Sequence, residues 1–93
     1  MYVGVLEVEI RLPTSQSLKD KRRIVQSILA KTRAKFQIAG AEVGLLTLRQ
    51  GAVLGFACVS NSKSLSEEII SDMMRWIETD WEVEIVEYSK EIY

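Results

Sequence analysis

The fold is decided by YVGVLEVEIRLPTSQSLKDKRRIV, residues 2–25, in which a two-residue repeat gives way to a helical one. Apolar and polar side chains alternate from residue 2 to residue 12, which predicts a strand with one buried face. Pro13 and the hydroxyl-rich residues after it end the strand, Ser17 is a good N-cap, and Asp20 three residues later supports a capping box. The strand residues predicted to face inward are Tyr2, Gly4, Leu6, Val8, Ile10 and Leu12.

The rest of the chain continues in segments that are typical of strands and helices in turn. The helix after Ser17 is predicted to run to about Lys35, and residues 36–46 and 52–60 are predicted to be strands joined by a loop at 47–51. A second helix over 64–78 has Ser64 as its expected N-cap, and residues 81–89 alternate as a fourth strand. With right-handed crossovers, this order predicts a single α+β domain, 1–93, with a ferredoxin-like βαββαβ fold. The antiparallel sheet has the expected order 4-1-3-2, with both helices on one face.

Composition bounds the chemistry that the chain can perform. There is no histidine, and the one cysteine, Cys58, lies in the apolar run AVLGFACV, which predicts a buried thiol. An intrachain disulfide is excluded, and neither a metal site nor a cofactor is expected. No apolar run approaches the length of a membrane span and no signal segment is evident, so we expect no membrane contact and a cytoplasmic location.

Charge is distributed unevenly along a chain whose net charge is only −1. From Arg11 to Lys35 there are eight cations and one anion, whereas from Glu67 to Glu91 there are nine anions and two cations. Such asymmetry favours either a polyanionic partner or association through opposite charges.

The start of the first helix carries positive charges, which the helix dipole disfavours. Each cation near a helix N-terminus lowers the stability of the helix by roughly 0.3 to 1 kcal/mol. Lys21 is the most informative of them, since it falls between Leu18 and Val25 on the apolar stripe and must either extend its ammonium to the rim or find a partner. The topology brings the loop 47–51 to the same end. We therefore predict a site for phosphate, of RNA or of a ribosome-associated surface. Its candidate residues are Ser15, Ser17, Lys19, Lys21, Arg22, Arg23, Arg49 and Gln50.

The segments GVLEVEIRLPTSQSLKDKRR, AEVG and LGFACVSN resemble the YlxP-like family, known as domain of unknown function 503, and the likeness covers essentially the whole chain. The resemblance implies a ferredoxin-like fold and a bacterial protein encoded near transcription and translation factors, and it assigns no biochemical role. The family usually has an acidic residue and a tryptophan before a glutamine in the loop after AEV. Here the matching positions are Thr47 and Arg49, and only Gln50 is kept.

An assembly module is the second hypothesis. The outward face of the predicted sheet carries small apolar residues, and contiguous exposed apolar surface often marks an interface. A homodimer through this open face or through an edge strand, without nucleic-acid binding, is the alternative to the phosphate site. The outward apolar residues are Val3, Val5, Val53, Ala57 and Val59.

Two further functions are disfavoured by the residues. Base stacking on the sheet, as in RNA-recognition motifs, would require Tyr2 to face outward, and the alternation would then bury Glu7 and Glu9. Catalysis is not expected, because the carboxylates Glu7, Glu9, Glu82 and Glu84 are best interpreted as a solvated face and no catalytic motif is present. Trp76 and Trp81 are interpreted as core and rim packing.

Overall fold

Strand β1 (Tyr2–Arg11) lies inside the sheet in the computed structural model, which describes residues 1–93. The other elements follow in the predicted order: α1 (Leu18–Phe36), β2 (Ala39–Gly44), β3 (Gly51–Ser60), α2 (Lys63–Asp80) and β4 (Glu84–Ile92). All strand pairs are antiparallel and the order across the sheet is β2-β3-β1-β4, which is 4-1-3-2 counted from the other edge. The predicted α+β, ferredoxin-like architecture is confirmed.

The two faces of β1 are those that the alternation predicts. Leu6, Val8 and Ile10 are fully buried, whereas Glu7 is exposed on the opposite face. Tyr2, also expected to face inward, is 38% exposed, because it begins the strand and lies outside the core cluster. β3 contributes its even-numbered residues to the same core, because β1 and β3 pair residue by residue from Tyr2 opposite Ser60 to Arg11 opposite Gly51. The helices cover this face and complete one continuous core, whose helical members are Val25, Ile28, Leu29, Ile70, Met73 and Ile77.

Helix α1 begins and ends at defined caps. The Ser17 hydroxyl accepts a hydrogen bond from the Asp20 backbone N–H at 3.0 Å, as the capping box requires. At the other end Gln37 adopts a left-handed conformation with φ 53°, and its N–H donates to the Arg33 carbonyl at 2.9 Å. Neither helix combines the length and the apolar character needed to cross a bilayer.

The N-cap of α2 differs from the prediction. Ser62, not Ser64, caps this helix, because the Ser62 hydroxyl accepts from the Leu65 N–H at 3.3 Å. The Ser64 hydroxyl lies inside the first turn, 3.0 Å from that of Ser62. Both serines are favoured N-cap residues, so the sequence does not distinguish them. The path of the chain as it leaves the preceding strand decides which one begins the helix.

Pairing with β1 sets the limits of the outer strands. β4 lies three residues later than the predicted 81–89, because it begins where Glu84 pairs with Arg11 and ends where Ile92 pairs with Gly4. β2 is shorter than the predicted 36–46, since Phe36 still belongs to α1 and the chain turns after Gly44. Gly40 is required in β2, because a Cβ there would lie 2.8 Å from the Phe56 ring.

Candidate anion-binding surface at the start of helix α1

In the turn before α1, the polar groups hydrogen-bond to one another and to the first turn of the helix. The Ser15 hydroxyl is buried and donates to the Ser17 carbonyl at 3.2 Å, while the Ser17 hydroxyl caps the helix. One Asp20 oxygen accepts from the Gln16 backbone N–H at 3.1 Å, and the other accepts from the Arg23 guanidinium. The Arg23 hydrogen bond and then the Gln16 N–H hold the pKa of the Asp20 carboxyl below its ordinary value. Both serines therefore act in capping and turn formation.

The buried cation Lys21 finds its negative partners within the protein. Its Nζ is fully buried and lies 2.8 Å from Glu42 Oε2. Backbone carbonyls of Leu45 at 2.9 Å, Leu46 at 3.2 Å and Gly51 at 3.2 Å complete the shell. Because four oxygens surround an ammonium that has only three protons, no position remains for an external phosphate. The expected phosphate contact at Lys21 is corrected: this residue fastens the loop between β2 and β3 to α1.

Gln50 fastens the same loop at a second point. Its side-chain Nε2 donates to the Ser15 carbonyl at 3.0 Å, and its own carbonyl accepts from the Leu12 N–H at 3.0 Å. Gln50 thus joins the loop to the turn before α1, which is a structural role.

Lys19, Arg22 and Arg49 remain exposed and form no ion pair, whereas exposed Arg23 pairs with Asp20. Arg49 lines a cavity of about 270 Å³ together with Ser15, Gln16, Leu48 and Gln50. Gln16 also borders the neighbouring depression, of about 760 Å³, which Ser17, Lys19, Asp20 and Arg23 complete. The loop cation and the helix start therefore adjoin, as the topology predicts.

The exposed cations are not confined to the helix start. Lys31, Arg33 and Lys35 are exposed on the last turns of α1, and Asp20 is the only acidic residue of this helix. The spacing of these lysines and arginines on the outer side of the helical wheel is the sequence signal for a longer surface. We call the whole set the basic surface of α1: Lys19, Arg22, Arg23, Lys31, Arg33, Lys35 and the adjoining Arg49.

The carboxylates on the open sheet face are dispersed. Glu9 pairs with Arg11 at 2.8 Å on β1, Glu7 is exposed beside it, and Glu84 lies opposite Arg11 on β4. No three side chains of histidine, cysteine, aspartate or glutamate converge as a group that would hold a metal ion.

Comparison with known proteins assigns the chain to a family. A model of the family described as "Protein of unknown function (DUF503)" matches residues 3–90. The chain is also 29% identical over 82 residues to the uncharacterized protein YlxP of Bacillus subtilis (strain 168), an alignment that covers 88% of this chain and 89% of that protein. The chain belongs to the DUF503 family, whose biochemical function has not been assigned.

Proposed function

We propose that this protein is a non-catalytic binding module that holds RNA, such as a ribosomal segment, along the basic surface of α1. The observation that supports the proposal is that six exposed cations lie on one helix whose single acidic residue is already paired with Arg23. Helix α1 has 19 residues and is therefore about 28 Å long, which spans several phosphates of a nucleic-acid backbone.

The surrounding charges define where a polyanion would bind. Helix α2 exposes Glu67, Glu68, Glu78 and Asp80, so its surface is predominantly acidic. Screening at physiological salt limits Coulomb interactions to about 8 Å, so the two helices present separate fields of opposite sign. The open sheet face carries exposed carboxylates along β4 and repels phosphate. Both features favour a polyanion on α1 and on the Arg49 side of the molecule.

The proposal is tested by measuring RNA affinity against salt concentration for the unmodified protein and for a Lys19→Ala/Arg22→Ala variant. Both side chains are exposed and unpaired, so their removal leaves the fold intact. The slope of log affinity against log salt is negative, and each lost phosphate contact makes it shallower by about 0.7 for single strands. We expect the slope of the double variant to be shallower by about 1.4.

The matched control is Lys63→Ala/Lys90→Ala, which removes the same charge from exposed positions on α2 and β4. This variant should bind RNA with the slope of the unmodified protein, apart from a small uniform effect of net charge. Salt-independent affinity, or equal loss in both double variants, contradicts binding along α1.

Assembly through the open sheet face is the second candidate, and a specific feature favours it. The outer positions of β3 are partly exposed and small, and Ala57 at their centre pairs with Val5 on one side and Ala39 on the other. Small side chains allow the sheets of two copies to approach closely. The helix layer would then remain free on both copies. The apolar positions of this face are Val3, Val5, Ala39, Ala41, Val43, Val53, Ala57 and Val59.

A further inference from the structure

A cavity of about 490 Å³ lies between the C-terminal halves of the two helices. This volume is within the range of small-molecule sites, roughly 300 to 1,000 Å³. Two partly buried aromatic residues form one wall, and flexible charged side chains surround the opening. The lining residues are Lys35, Phe36, Asp72, Arg75, Trp76 and Thr79.

The aromatic wall presents ring surface to the cavity. The rings of Phe36 and Trp76 lie 5.9 Å apart at 72°, and those of Trp76 and Trp81 lie 5.8 Å apart at 85°. A perpendicular contact covers at most one face of one ring, whereas a parallel stack covers a face of both. Phe36 and Trp76 pack against the core on one side but are only partly buried, so part of their ring surface stays accessible to another planar ring.

Cations accompany the aromatic residues. Lys35 Nζ lies 5.7 Å from the centre of the Phe36 ring, and Lys31 Nζ lies 5.3 Å from the centre of the Trp81 ring. Arg75 contacts Asp72 at 3.5 Å in an exposed pair, so Asp72 offsets the charge of Arg75 and leaves Lys35 as the unpaired cation of the cavity. Flat rings beside unpaired lysines match the two parts of a nucleotide, its base and its phosphate.

We propose that this cavity receives an unpaired base of single-stranded RNA, which stacks on Trp76 while Lys35 holds a flanking phosphate. This inference rests on the proposed function, because Lys31 and Lys35 belong to the basic surface of α1 and a strand bound along that helix reaches the cavity. Stacking here uses the helix layer. Phe56, the aromatic residue of β3, is buried in the core and offers no ring for stacking on the sheet.

Intrinsic fluorescence provides a direct test, because the chain has only two tryptophans. In a Trp81→Phe variant Trp76 is the sole indole, and its emission reports on the cavity. We expect a single-stranded oligoribonucleotide to quench this emission at the concentrations at which it binds. Heparin, a polyanion without bases, should bind the cations of α1 and leave the emission unchanged.

Substitution separates stacking from charge. Trp76→Leu should weaken binding of the single-stranded oligoribonucleotide about tenfold, within the range for losing one stacked base, while heparin affinity stays the same. Trp81→Phe is the matched control, because Trp81 does not line the cavity and phenylalanine keeps an aromatic ring against Trp76, and it should retain oligoribonucleotide affinity. The quenching experiment needs no substitution in the cavity, so it decides the matter even where Trp76→Leu impairs folding.

The outcomes distinguish this inference from the function on which it rests. Salt-dependent RNA binding along α1 without quenching of Trp76, or with equal affinity in the Trp76→Leu variant, overturns the base site alone. Failure of both RNA and heparin to bind overturns the proposed function together with the base site. Quenching of Trp76 by RNA but not by heparin, together with weaker oligoribonucleotide binding by the Trp76→Leu variant, establishes the site.

Discussion

The Nζ of Lys21 lies 2.8 Å from Glu42 Oε2, with the ammonium fully buried and three backbone carbonyls completing its shell. A cation that the helix dipole disfavours is thus held by negative groups from another part of the same chain. The pair joins the first turn of α1 to β2 and to the loop after it. The position of the loop cation Arg49 beside Gln16 depends on this connection.

Removing Glu42 is expected to destabilise the protein strongly. Glu42→Ala leaves the buried ammonium with carbonyl partners only, and breaking a buried ion pair in this way costs about 3 to 5 kcal/mol. We therefore expect the free energy of unfolding, measured by urea denaturation, to fall by about 3 kcal/mol. Arg75→Ala, which breaks the exposed pair with Asp72, is the control and should cost less than about 1 kcal/mol. Similar losses in the two variants contradict the central role of the buried pair.

Asp20 should make stability depend on pH in the acid range. Its pKa is lowered in the folded protein from an ordinary value of 3.8, chiefly by the Arg23 hydrogen bond. The stability that the ionised Asp20 carboxylate contributes is therefore present above the pKa of the unfolded chain. It is lost as pH falls through the pKa of the folded protein. An Asp20→Asn variant should show a shallower loss of unfolding free energy below about pH 4 in urea titrations.

A second measurement identifies the cause of the Asp20 shift. In an Arg23→Ala variant the pKa of Asp20, followed by NMR, should rise toward 3.8, because the guanidinium hydrogen bond contributes the largest lowering. An Asp20 pKa that stays at the wild-type value assigns the shift to the Gln16 N–H instead.

Gly40→Ala should destabilise the protein despite the gain that alanine normally brings. Replacing glycine stabilises by about 0.4 to 1 kcal/mol through the unfolded chain, but overpacking a core costs about 1 to 3 kcal/mol. The new Cβ would lie 2.8 Å from the Phe56 ring, so the cost of overpacking is expected to exceed the gain through the unfolded chain. Urea denaturation should give a net loss of about 1 kcal/mol or more, and a stabilised variant contradicts the observed close packing.

Assembly through the open sheet face predicts a dimer in solution. At a concentration on the order of 50 µM, light scattering coupled to size exclusion should give twice the chain mass of 10.6 kDa. Ala57→Glu places a charge at the centre of the apolar face and should give the monomer mass. Ala34→Glu makes the same substitution at an exposed position of α1, in the helix layer and away from the open face, and should leave the dimer intact. A monomeric unmodified protein contradicts this candidate.

Periodicity predicted the orientation of β1, because a strand that buries Leu6, Val8 and Ile10 must expose Glu7. The topology followed from the order of the elements together with the right-handed crossover rule. Periodicity also placed Lys21 on the apolar stripe of α1. The pairing of Lys21 with Glu42 could not be predicted, because β2 reverses the usual pattern of apolar residues facing inward and polar residues facing outward. Its outer side carries apolar Val43, while Glu42 faces the helix layer with Leu54.

The contact between the basic surface and the aromatic residues required the structure. The sequence shows cations along α1 as far as Lys35, but only the packing of α1 against α2 brings Lys35 and Phe36 to Trp76. Their separation along the chain is about 40 residues, and contacts of this kind depend on how the helices cross rather than on any local pattern.

The Lys21 ammonium bonds to main-chain oxygens at Leu45, Leu46 and Gly51, and every amino acid supplies such an oxygen. The backbone path of the loop is therefore anchored independently of which side chains occupy 46–49. The side chains of Thr47 and Arg49 can therefore change without altering that path. Side chains in this segment can consequently diversify, and so change what the loop recognises, while the main chain keeps its course.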